Sequence, residues 1–316
     1  MNAKVLVLLS MLISVASTAQ PARTEQIVIG DGSGSFTLGG GVGRELKVFT
    51  VFYHRPETLT ARSPVLIVVP GAGRNGWTYR DAWVKASEEH GVLILSPSYS
   101  EEHYPEFWSY NLAGMITDVN VNQGATPAVS FRIVADPGAW IFGDFDRLFR
   151  EVKEHLGLET NMYDMFGHSA GGQLLHRLVL FHPGSMVNRV LAANSGWYTV
   201  PTFDDVFPYG LANSPLTPAK AVGAFETDLI VFLGELDDEN ETRGDLARTP
   251  EIDVQGISRI GRGKYFYNMA VQTADDLGVE LKWRLEVVPN VGHDLQRMST
   301  AAAAFLYSAE GDAPIQ

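Results

Sequence analysis

The stretch that most constrains the chain runs Met162-Tyr163-Asp164-Met165-Phe166-Gly167-His168-Ser169-Ala170-Gly171-Gly172-Gln173-Leu174-Leu175. Its first six residues, mostly apolar, read as a short strand. Leu174, Leu175, Leu178 and Phe181 then fall on one face of a helix predicted over 173–182, which Pro183-Gly184 stops. Between the two lies G-x-S-x-G, centred on Ser169. The five letters alone arise easily by chance, and their setting gives them weight. A strand that turns straight into a helix accepts only small side chains at the flanking positions, and Gly167, Ala170 and Gly171 supply them. Such a turn lifts a serine hydroxyl above the end of a strand. A structural turn carrying an inert serine is the bland alternative.

The same rhythm runs through the chain. Val48 to His54 reads as a strand, and Val65 to Val69 and Val92 to Ser96 as strands without polar alternation, the pattern of elements covered on both faces. Phe145, Leu148, Phe149 and Val152 mark an amphipathic helix over 144–156 that ends near Gly157. Strands follow at Val190 to Asn194, Leu229 to Leu233 and Trp283 to Val288, and an Ala-rich helix at 299–307 closes the set. Strands separated by helices predict an α/β domain around a mostly parallel sheet with helices on both faces. The glycine-rich stretch from Gly30 to Gly43 lacks dinucleotide spacing, and no GK[ST] follows it, so it reads as turns between short N-terminal strands. Two segments break the rhythm, an aromatic insertion at 97–143 and a Pro-, Gly- and aromatic-rich one at 197–228. Insertions at strand ends build substrate walls or simply cover a domain edge.

A serine hydroxyl needs an adjacent base to become a nucleophile. Eight histidines are present, and only His176, His182 and His293 follow Ser169. The first two lie along the helix leading away from the turn. His293, in Pro289-Asn290-Val291-Gly292-His293-Asp294, sits after the last predicted strand, at the carboxyl end of the sheet, and is the expected base. A carboxylate must hold its tautomer and offset its charge. The cluster Glu235-Leu236-Asp237-Asp238-Glu239-Asn240-Glu241 follows the strand at 229–233; Asp237, three residues past Gly234, is the expected partner, with Asp238 in reserve. The cluster does not match a calcium loop, and no metal is expected. Two backbone N–H groups should face the developing oxyanion. Ala170, after the serine, is one; Ala72, or else Gly73, in Pro70-Gly71-Ala72-Gly73-Arg74-Asn75, is the other. Gly73, His168, Trp197 and Tyr198 are candidate substrate contacts, though Trp197 and Tyr198 read equally well as core aromatics under the second insertion.

Composition removes several function classes. Without cysteine there are no disulfides, zinc-thiolate sites or thiol nucleophiles, and a formal charge of -13 argues against a nucleic-acid partner. Met1 to Lys4, an apolar run from Val5 to Ala16 and the small residues Ser17-Thr18-Ala19 form a secretory leader layout, with cleavage expected after Ala19. The apolar run is too short to span a bilayer. Residues 1–19 are therefore expected to be a signal peptide and 20–316 a single domain, secreted or periplasmic.

With these residues in order, the chain resembles the α/β-hydrolase superfamily, and most closely exported bacterial serine esterases of the polyhydroxybutyrate-depolymerase-like and feruloyl-esterase-like groups. The resemblance spans roughly 48–308 and rests on Pro70-Gly71-Ala72-Gly73, Gly167-His168-Ser169-Ala170-Gly171-Gly172, Gly234-Glu235-Leu236-Asp237 and Gly292-His293. It departs from many relatives at Pro70-Gly71, where they carry His-Gly. The resemblance implies an eight-stranded, mostly parallel sheet, no cofactor, and hydrolysis of a small-molecule or polymeric ester through an acyl-enzyme. An exported peptidase or a lipase on the same fold are the rival expectations, and a non-catalytic binding protein a more distant one.

Overall fold

The structure, a computed structural model, describes residues 27–121 and 128–308. The predicted leader lies outside the described residues. The described residues form ten strands: β1 (Gly32–Gly39), β2 (Val48–Arg55), β3 (Val65–Val69), β4 (Leu93–Ser98), β5 (Ile116–Val121), β6 (Ala128–Ile133), β7 (Tyr163–His168), β8 (Val187–Ala193), β9 (Asp228–Gly234) and β10 (Arg284–Val288). The helices are α1 (Gly76–Asp81), α2 (Val84–His90), α3 (Glu106–Tyr110), α4 (Phe142–Leu156), α5 (Ala170–Phe181), α6 (Pro218–Phe225), α7 (Pro250–Asp253), α8 (Arg259–Leu277) and α9 (Leu295–Tyr307). Eight strands form one sheet in the order β1-β2-β4-β3-β7-β8-β9-β10, while β5 and β6 pair as a separate hairpin. From β4 to β10 every pairing is parallel; β2 alone runs against its neighbours.

The uninterrupted apolar runs are explained by burial on both faces. In β3, Leu66 and Val68 face a core completed by Trp83, Met298 and Phe305, while Val65, Ile67 and Val69 face Phe145, Phe149, Leu174, Leu178 and Phe266. Helices therefore cover both sides of the sheet, with α2 and α9 on one and α4, α5 and α8 on the other. Among the described residues no helix is long and apolar enough to cross a membrane.

Several elements differ from the sequence expectation, and α1, α2 and α7 lie where no element is predicted. Much of the glycine-rich stretch is not turn but strand: β1 runs antiparallel to β2, and Gly34 lies so close to Tyr53 that a Cβ there would sit 2.3 Å from its hydroxyl oxygen. The nineteen-residue α8 spans a segment for which the sequence predicts no helix, and α9 begins four residues before the Ala-rich stretch. The first insertion holds α3 and the β5-β6 hairpin, the second α6. They meet where Phe131 packs edge-on against Phe207, 5.9 Å between centroids. The fully buried Arg177 of α5 ties them further, donating to Asn111 O in the first (3.0 Å) and Thr199 Oγ1 in the second (2.9 Å).

Candidate active site

The turn between β7 and α5 is as tight as its small residues suggest. Ser169 takes φ 59° and ψ -118°, a region a side-chain-bearing residue enters at a cost of about 1–3 kcal/mol and keeps only when its surroundings enforce it. Enforcement comes from both sides. The Ser169 N–H donates to Ala193 O of β8 at 2.9 Å, and Gly171 brings α5 so close to β3 that a Cβ would sit 2.1 Å from Val69 O. Ser169 is thereby fixed at the carboxyl end of the central strands and is partly exposed there.

His293 and Asp237 meet in the same region. The His293 Nδ1 and Asp237 Oδ2 atoms are 2.7 Å apart, and the Asp237 side chain is 1% exposed. Asp238, the reserve candidate, instead accepts the Asn240 N–H at 2.8 Å in a surface turn. Asn194, at the end of β8, braces the assembly: its Oδ1 accepts Gly234 N–H of β9 (2.8 Å), and its Nδ2 donates to Gly292 O beside His293 (3.2 Å). The His168 ring, adjacent in sequence to Ser169, lies 4.4 Å from the His293 ring between centroids. Among the described residues Ser169 Oγ and His293 share no hydrogen bond.

Two contacts to this pair escaped the sequence reading. Glu241 Oε2 accepts the His293 backbone N–H at 2.7 Å, and Arg243 binds the same carboxylate through Nε (2.9 Å) and Nη2 (2.6 Å). Arg259, the first residue of α8, donates from Nη1 to Asp237 Oδ1 at 3.1 Å with its own side chain 3% exposed. Both come from segments distant in sequence from Ser169 and His293, and no local motif marks them.

The segment 70–75 lies beside the serine. A Cβ on Gly71 would approach Ser169 Cβ to 3.5 Å, and Gly71 O accepts Arg74 N–H at 2.9 Å, closing a turn with Ala72 and Gly73 exposed at its tip. The first insertion supports this turn from behind. Tyr110 Oη donates to Pro70 O at 2.5 Å, and Arg74 donates to the carbonyls of Tyr99, Tyr104 and Glu106. Arg74 also lies 5.0 Å over the Tyr110 ring. Ala170 opens α5, where an amide has no acceptor within the helix. Neither the Ala72 nor the Ala170 N–H donates to another protein group among the described residues.

The candidate substrate contacts divide. Gly73 is exposed. Tyr198 is fully buried and stacked on Phe266 at 4.5 Å, and Trp197 is buried beneath the Arg177 guanidinium at 4.2 Å, so both occupy core positions under the second insertion. His168 is buried against His293, and its Nε2 has no partner. Burial first, then the charges of His293, Arg259 and Arg243, hold this imidazole well below the usual histidine range. Among the described residues no cluster of three or more His, Asp or Glu is arranged to hold a metal ion.

No protein-family model matches the chain, and no curated protein matches it significantly. Solved structures do. Poly(aspartic acid) hydrolase-1 from Sphingomonas sp. KT-1 is similar at 33% identity with a TM-score of 0.79, over 89% of this chain and 100% of that one. The poly(3-hydroxybutyrate) depolymerase LpqC from Bordetella parapertussis is similar at 30% identity and TM-score 0.78, over 88% and 90%. The siderophore hydrolase EstB from Aspergillus nidulans, at 14% identity and TM-score 0.52 over 93% and 100%, shares the fold alone. With the sheet order, the tight serine turn and full-length relatives at this identity, the chain belongs to the α/β-hydrolase superfamily and is a hydrolase.

Proposed function

We propose that the protein is a serine esterase that cleaves carboxylic esters through an acyl-enzyme, with Ser169 as nucleophile, His293 as general base and Asp237 as its orienting carboxylate. The observation that carries the reading is the 2.7 Å Asp237–His293 contact beside a serine held at positive φ. His293 Nε2 takes the Ser169 proton as Oγ attacks the ester carbonyl, and the N–H groups of Ala72 and Ala170 receive the oxyanion. The protonated imidazole then passes its proton to the departing alcohol. Water, deprotonated by the same His293, releases the acid and restores Ser169. No cofactor enters this sequence.

Replacing Ser169 by Ala should lower turnover of a nitrophenyl ester on the order of a million-fold while leaving the folding transition cooperative. It should also abolish labelling by a fluorophosphonate, which reacts only with an activated serine. Retained turnover by S169A would remove the triad reading.

A second reading is hydrolysis of an amide-linked chain, favoured by the relative named for poly(aspartic acid) at 33% identity. The charges beside His293 support the neutral ester instead. Arg243 is bound by Glu241 and Asp294, and Arg259 by Asp237, so each of these cations is already neutralised by a carboxylate. Comparing poly(aspartic acid) with a short neutral ester separates the two.

A further inference from the structure

We infer that Arg259 is a positioning residue of the hydrolytic site, holding the Asp237 carboxylate in the orientation in which it serves His293. The inference rests on the triad reading proposed above. A carboxylate that meets only an imidazole leaves one oxygen bare, and a dry interior strongly disfavours a bare anionic oxygen. Asp237 is 1% exposed, and each oxygen has its own donor: Oδ2 faces His293 and Oδ1 faces Arg259. The hold is two-point, because the Ile260 N–H also donates to Asp237 O at 3.1 Å.

Arg259 is itself anchored. Its Nη2 donates to Gly244 O and Asp245 O, both at 3.0 Å, which ties Asp237 to the loop that covers His293. A Cβ on Gly244 would lie 3.0 Å from His293 Cδ2, so this loop forms the wall against the imidazole. Asp237 is the single carboxylate that Arg259 pairs with among the described residues. The charged and titratable groups facing the Asp237–His293 pair are Arg259 from α8, Glu241 and Arg243 from the loop after β9, His168 from β7, Tyr198 after β8 and Asp294 before α9. Of the two cations, Arg243 is half exposed and Arg259 is buried, so Arg259 is the one whose charge water does not screen.

Removing a buried cation lets the Asp237–His293 pair take up its first proton more readily, whichever of the two holds it. The acid limb of the pH–rate profile then moves to higher pH. A residue that only packs would lower stability without moving the limb.

The test measures kcat and KM against pH for a neutral nitrophenyl ester with R259M, R259K and the pair D237N and D237N/R259M. R259M should move the acid limb up by about one pH unit. It should lower kcat on the order of a hundredfold with KM nearly unchanged. R259K, which keeps the charge, should return the limb to its wild-type position and restore most of kcat. In the D237N background R259M should cost nothing further in kcat, and that double variant replaces a buried ion pair by neutral groups, so it folds even where R259M does not. An unmoved limb in R259M, an equal shift in R259K, or an additional kcat loss in the double variant overturns the inference. Any of these alongside an inactive S169A overturns Arg259 alone; an active S169A overturns the triad reading on which it rests.

Discussion

Glu241 lies four residues past Asp237 and holds His293 from the other side, through its backbone rather than its ring. The Arg243 guanidinium, followed by the Arg243 and His293 amides, holds this carboxyl well below its usual value of 4.5 against the opposing effect of burial. The Glu241 side chain is 6% exposed while Arg243 is half exposed, so water screens part of this lowering. A carboxylate depressed in the folded state contributes stability that is fully present above its unfolded value and is lost as pH falls through the folded one. Glu241→Gln should therefore destabilise the protein at neutral pH, and the gap to wild type should narrow as pH falls below 4.5. Urea midpoints at neutral and acid pH measure it; a gap that stays constant would mean that the charge of Glu241 does nothing. The proposed triad residues Ser169, His293 and Asp237 stand out along the chain because each follows a strand, at the carboxyl end of the sheet. Glu241 and Arg259 are not, because an acid in an acidic loop and an arginine at a helix start look like surface residues until the fold buries them.

At the scale of elements, α5 is held against the sheet at distances only glycine permits. Gly172 repeats on β8 what Gly171 does on β3: a Cβ there would lie 2.6 Å from Ala193 O. Gly171→Ala must push the helix off β3, and overpacking of this kind costs about 1–3 kcal/mol. Because Ser169 caps that helix, the same shift moves the hydroxyl, and kcat should fall together with the thermal midpoint. Unchanged kcat with a lowered midpoint would separate the helix position from the site. The elements that sequence periodicity found are those where one physical rule acts alone. β3 and β9 are buried on both faces and read as nearly continuous apolar runs, and α4 has a single apolar stripe. Those it missed carry mixed signals. α8 runs Arg-Ile-Gly-Arg-Gly-Lys at its start, with Gly263 packed so that a Cβ would meet Leu233 at 2.5 Å, so tertiary contact decides what propensity opposes. β1 is glycine-rich for the same reason, since Gly34 makes room for Tyr53.

The whole molecule adds a field that no single residue supplies. With a formal charge of -13 and an isoelectric point near 5.0, the protein repels anions at neutral pH, and the arginines beside His293 are spent on carboxylates. Salt shortens the reach of that field from about 30 Å at 0.01 M to about 3 Å at 1 M. An ester bearing a carboxylate on its acyl chain should therefore gain several-fold in kcat/KM across that range, whereas a neutral butyrate ester should change little. The sign of the salt effect separates the two substrate readings. If the anionic ester slows as salt rises, a local cluster of positive charge draws it in against the overall repulsion, and an acidic polymer of the kind named for the Sphingomonas relative becomes the better reading. If it speeds up, the site works on neutral esters, and the surrounding charge acts only as a barrier that salt removes.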